Sequence, residues 1–211
     1  VILRNRLRKD GYDVQKDAVN DALQALRLAR TYAKEWNLDP RKIGMMGFSA
    51  GAELAAAAAV RYPEFDQANG AGAVSARPDF VGIIYPGPSP FAKGRVAPPV
   101  PKDVPPAFLV CGGSGDRVHA IWAMDYYGAM LALGVPNIEM HLYGNGRHPG
   151  DPLPDGTRMS GGLTDRRDTP FGTWQFRFID WFRDLGFLGK SGVETKAARD
   201  GAAFARKDEA H

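Results

Sequence analysis

The stretch Gly47-Phe48-Ser49-Ala50-Gly51 joins a short apolar run, residues 42–48, to an Ala-rich run, residues 50–60. An apolar run of strand length, then a sharp turn, then a good helix former reads as strand, turn, helix. A serine on such a turn is held in a strained backbone conformation, with its hydroxyl standing clear of the sheet. The two glycines let strand and helix approach without a Cβ clash. A helix starting at Ala50 aims backbone N–H groups at the place where negative charge would develop on a bound carbonyl oxygen. Ser49 is therefore a candidate nucleophile and the Ala50 N–H a candidate oxyanion donor. The competing reading is a Gly/Ser-rich turn without chemistry.

The chain has 211 residues, of which 44% are hydrophobic, enough for one domain with a sizeable core. No apolar run approaches the ~18 residues of a membrane span. Net charge is +3, with Arg4, Arg6, Arg8 and Lys9 clustered near the start and mixed signs elsewhere. That pattern does not point to nucleic acid. A single cysteine, Cys111, excludes an internal disulfide. The chain opens on Val1, inside an apolar run, and no signal peptide is visible there. The expectation is that an upstream segment of the same precursor precedes it.

Apolar periodicity predicts strands at residues 1–7, 43–48, 80–85, 107–111 and 138–143, and helices at 14–36, 50–62, 121–133 and 174–185. Residues 63–78, 86–106 and 144–173 read as loops. Residues 190–211 form a charged, Ala-rich tail, either frayed or an added helix. The expected organisation is one region over 1–189 followed by that tail. Strands alternating with helices imply an α/β fold with a mostly parallel sheet and helices on both faces.

A serine nucleophile needs a base to take its proton and a carboxylate to orient that base. Asp116 follows the strand at 107–111 in Gly112-Gly113-Ser114-Gly115-Asp116, and His148 follows the strand at 138–143 in Gly144-Asn145-Gly146-Arg147-His148. Both lie at carboxyl ends of strands, where open α/β sheets place their sites. The other candidates fit less well. His119 follows Asp116 closely and could line a pocket or be an exposed loop residue. His141 lies mid-strand, and His211 is terminal. Asp103 and Asp125 fall before or inside elements, and Asp151 and Asp155 come after the histidine. Four scattered histidines and one cysteine lack metal-ligand spacing. No phosphate-cradling or dinucleotide glycine motif follows a strand.

With those residues in place, the chain resembles α/β-hydrolase esterases of the feruloyl esterase and acetyl xylan esterase type, related to the hormone-sensitive-lipase-like and kynurenine formamidase-like branches. The resemblance covers residues 1–188. It is carried by residues 1–7, by Asp39-Pro40-Arg41-Lys42-Ile43-Gly44 leading into Gly-Phe-Ser-Ala-Gly, by residues 75–80 ahead of Ile84-Tyr85-Pro86, by residues 105–110, and by Gly144-Asn145-Gly146-Arg147-His148. It implies the α/β-hydrolase fold with its first strands absent from this chain, and a serine esterase needing no cofactor or metal. Ser49 is then the nucleophile, Asp116 the acid and His148 the base, with Ala50 an oxyanion donor. His119, Arg147 and Trp174 are expected substrate contacts. The implied substrates are acetyl or feruloyl esters of plant cell-wall carbohydrate, and the implied setting is secreted or periplasmic. The family's His-Gly-Gly segment, source of a second oxyanion donor, does not occur in these 211 residues. The alternatives are a prolyl-oligopeptidase-like peptidase and a non-catalytic binding module of the same fold.

Overall fold

Four short strands lie side by side in the order β1 (Met45–Phe48), β2 (Val81–Ile84), β3 (Ala107–Gly112), β4 (Ile138–Tyr143), every pair parallel. These observations come from a computed structural model that describes residues 1–70, 72–144, 146–152, 155–158, 171–188 and 196–206. β2 and β3 are buried along their whole length. That is the burial expected of central strands covered on both faces, and it explains their unbroken apolar runs.

The two faces can be told apart at β1. A Cβ on Gly47 would lie 1.9 Å from the Gly51 carbonyl oxygen, so α2 (Ala50–Ala68) packs against the Gly47 face. The alternate residue, Phe48, faces Trp174 of α4 (Trp174–Asp184), with ring centroids 6.3 Å apart. In register with that face, Phe108 of β3 meets Phe178 and Trp181 of α4 at 5.2 and 5.5 Å. Helices therefore cover both faces, as the alternation of strands and helices implies.

α2 explains its own composition. Ala52 and Ala55 to Ala59 are each at most 1% exposed. One side meets the sheet cluster, while Leu54, Ala57, Ala58 and Tyr62 meet α1 (Val19–Thr31) through Val19, Ala22, Leu23 and Leu26. A helix enclosed on all sides is apolar all round. Methyl side chains let it fit between sheet and α1. Arg27 fastens the outer layer: it donates to the Val74 carbonyl and to Asp66, each at 2.8 Å, and its guanidinium lies over the Phe65 ring.

Several boundaries differ from expectation. Residues 1–7 do not form a strand. Val1 and Ile2 are almost fully exposed, and no described segment pairs with them. A strand needs a neighbour to satisfy its N–H and C=O groups, and among the described residues β1 pairs only with β2. The segment is held instead by Arg6, which donates to Asp21 and to Asp17. The expected helix over 14–36 splits into a π turn, Val14–Ala18, and α1, which stops at Thr31. α2 runs through Pro63 to Ala68 instead of stopping at residue 62. α3 (Arg117–Ala132) begins four residues earlier than expected, directly after the loop that carries Asp116. The tail contains α5 (Lys196–Arg206), whose Phe204 packs against the main core. Among the described residues no helix is long and apolar enough to cross a membrane.

Phe108 is fully buried beneath α4. Phe108→Ala is expected to cost about 3–5 kcal/mol of unfolding free energy, because the ring cannot be replaced by collapse of Trp181 and Phe178. A urea unfolding curve with an unchanged midpoint would show that α4 does not depend on the sheet in this way.

Candidate active site

Three carboxyl-end turns build the site, and each is held by main-chain contacts. Ser49 follows β1 with φ 52° and ψ −119°, a conformation that non-glycine residues rarely adopt. Its own N–H donates to the Ile84 carbonyl at 3.0 Å, and its carbonyl accepts from Ala52, Glu53 and Gly87. These bonds over-determine the turn, which is the condition for keeping strain in place. Of the two flanking glycines only Gly47 is sterically required, since a Cβ on Gly51 would meet open space. A serine at a helix start ordinarily caps the first turn through its hydroxyl. Ser49 makes no such cap. Its Oγ lies 3.0 Å from Nε2 of His148. The Ala50 N–H precedes the first bond of the helix and faces out of its end.

His148 arrives on the loop after β4, which is zipped to the loop after β3. Gly113 donates to Tyr143 and Ser114 to Gly144. A Cβ on Gly112 would stand 2.0 Å from the Gly146 carbonyl oxygen, so the two loops touch backbone to backbone. This contact brings His148 and Asp116 into one cluster.

Within that cluster the pairing differs from expectation. His148 Nδ1 lies 2.8 Å from the Pro149 carbonyl oxygen, not on Asp116. A carbonyl only accepts, so Nδ1 carries the proton and the Nε2 lone pair accepts from the Ser49 hydroxyl. The Asp116 carboxylate, buried at 7% exposure, accepts from His119 Nδ1 at 2.5 Å. The His119 ring in turn stacks on the His148 ring, with centroids 4.3 Å apart and planes 20° from parallel. Tyr85 meets His148 edge-on at 5.1 Å. The spacing Asp-x-x-His at the start of a helix puts both side chains on one face. That spacing was the available sign that His119 would meet Asp116 first.

Burial and the Asp116 charge set the electrostatics nearby. Burial, then the Asp116 charge, pushes the Tyr85 hydroxyl up to about 12. Burial, then the same carboxylate 3.8 Å away, pushes the Cys111 thiol far above the ordinary thiol range. Of the expected substrate contacts, Arg147 is half-buried beside His148. Trp174, the third expected contact, is only 3% exposed and packs on Phe48 and Phe178 in the core. In the loop after β4, Arg158 donates to the Gly150 carbonyl. Among the described residues no three His, Cys, Asp or Glu side chains converge as metal ligands would.

Residues 15–100 match the profile of the alpha/beta hydrolase fold. Over 68 residues the chain is 35% identical to the acetylxylan esterase of Xylanibacter ruminicola, a match covering 32% of this chain and 12% of that protein. The solved acetyl ester-xyloside bifunctional hydrolase from Caldicellulosiruptor lactoaceticus superposes with a TM-score of 0.68 at 28% identity, covering 89% of this chain and 71% of that one. A thermophilic esterase from Thermogutta terrifontis superposes with a TM-score of 0.62 at 21% identity, covering 87% and 69% of the two chains, and at that identity shares the fold. The chain has the α/β-hydrolase fold, and it spans about an eighth, 12%, of the length of the curated relative.

Cys111 is expected to resist alkylation in the native protein, because both burial and Asp116 oppose the reactive thiolate. Mass spectrometry after iodoacetamide treatment checks this. Rapid native labelling at neutral pH would mean that the loops after β3 and β4 open far more readily than their backbone contact implies.

Proposed function

We propose that this chain carries the reaction centre of a serine carboxylic-ester hydrolase acting on acetyl esters of xylan-type carbohydrate. The observation that carries the reading is the 3.0 Å contact between Ser49 Oγ, on its strained turn, and His148 Nε2. In the reaction Ser49 Oγ attacks the ester carbonyl carbon while its proton passes to His148 Nε2. The oxyanion so formed is met by the Ala50 N–H. Collapse breaks the bond to the sugar oxygen, which leaves with the proton from His148. Water, deprotonated by His148, then attacks the acyl-serine, and acetate is released with Ser49 restored. The Pro149 carbonyl holds the His148 tautomer, and Asp116 supplies negative charge beside the imidazolium formed in each step. No cofactor enters this scheme.

Acetyl esters are preferred over feruloyl esters because the similar proteins are named for acetyl ester and acetylxylan chemistry. A peptidase or a non-catalytic binding module has no comparable support. We also propose that an upstream segment of the same precursor completes the site as a companion. Among the described residues β1 stands at one end of the sheet and pairs on one side, which leaves room for a segment that brings a second oxyanion donor to the carboxyl end of that strand. One such donor is worth about 10²–10³ in rate. The 211 residues alone are accordingly expected to be weakly active and prone to associate through the β1 edge.

The nucleophile is tested by Ser49→Ala, which is expected to lower 4-nitrophenyl acetate hydrolysis by at least about 10³ and to abolish labelling by a fluorophosphonate probe. Turnover near wild type in that variant would falsify the assignment. Specificity is tested by comparing release from acetylated xylan, methyl ferulate and a short peptide. Acetate release is expected to be fastest, and preference for the peptide would move the protein to the peptidase reading.

A further inference from the structure

The cluster contains a second histidine that the reaction scheme leaves unused. His119 touches two of its members at once. Its Nδ1–H donates to Asp116 Oδ1 at 2.5 Å, and its ring lies flat on the His148 imidazole at 4.3 Å. Trp122 meets His119 edge-on at 5.4 Å, and Tyr85 meets His148 edge-on at 5.1 Å. The side chains of Asp116 and His119 are 5% and 22% exposed. His148 thus contacts two rings, and the Asp116 carboxylate reaches it through the neighbouring histidine.

We propose that His119 is a positioning residue, not a substrate contact: it holds the Asp116 carboxylate and, by stacking, the plane of the His148 ring. This rests on the serine-esterase reading. Two physical arguments support it. A buried carboxylate without a donor is costly, and His119 supplies the donor that His148 in an ordinary triad would supply. A general base must also keep its Nε2 aimed first at Ser49 and then at the leaving oxygen. A ring stacked on His119 and met edge-on by Tyr85 has little freedom to turn away. Asp-x-x-His is therefore a functional pair here, with the acid charge delivered beside the base instead of onto its Nδ1.

Three single variants and one double separate the possibilities in the full protein with 4-nitrophenyl acetate. His119→Phe keeps a stacking ring and removes the donor. His119→Gln keeps a donor and removes the ring. Asp116→Asn removes the charge. Both His119 variants are expected to lower kcat about tenfold with KM within about twofold, since positioning acts on the chemical step. His119→Phe combined with Asp116→Asn is expected to be no worse than Asp116→Asn alone within about twofold, because the pair acts as a unit. A raised KM with unchanged kcat would make His119 a substrate contact and overturn the proposal. Unchanged kinetics, or losses that multiply in the double variant, would overturn it as well. Near-ultraviolet circular dichroism checks folding, and if His119→Phe does not fold, His119→Gln decides. Ser49→Ala in the same assay reports on the serine reading independently, so failure of that reading is seen separately from failure of the His119 proposal.

Discussion

The close approach of α2 to β1 at Gly47 is the constraint on which the rest depends. With a Cβ at that position 1.9 Å from the next turn's carbonyl, strand and helix could not meet at the angle they adopt. Relax that approach and Ser49 leaves its φ of 52°, its hydroxyl loses the direction of His148, and the end of the helix no longer points past it. The Ala-rich body of α2 serves the same approach further along. Its methyl side chains let the helix lie against the sheet and beneath α1 at once, so the elbow is anchored by two hydrophobic layers.

Much of this architecture is legible in the residues. The strand at Ile138–Tyr143 matches the apolar run residue for residue, and the other three strands lie within the runs that predict them or differ by a single residue. Central parallel strands announce themselves because they are apolar on both faces. Residues 1–7 carry the same local signal and form no strand, since strand identity also needs a partner that local periodicity does not report. Pro63 misleads in the opposite direction. Tertiary packing of α2 carries the helix through a residue that, read locally, ends it.

The candidate site divides in the same way. Ser49 and His148 are legible because each sits on a short glycine-marked turn directly after a strand, and chain order does the rest. The partner of Asp116 is not legible from chain order. It is decided by helical spacing within the first turn of α3 and by the Pro149 carbonyl, a main-chain group that no pattern of side chains reveals. Trp174 shows a similar limit. Expected as a substrate contact, it is 3% exposed and packs against Phe48, a burial that local sequence does not report.

The contact between Gly112 and Gly146 joins the end of β3 to the loop that carries His148 through peptide groups. Side chains outside the Ser49, His148, His119 and Asp116 cluster can therefore be exchanged without altering how these two segments meet. The architecture separates two kinds of inheritance: a main chain that keeps the arrangement of the loops, and a surrounding set of residues free to drift.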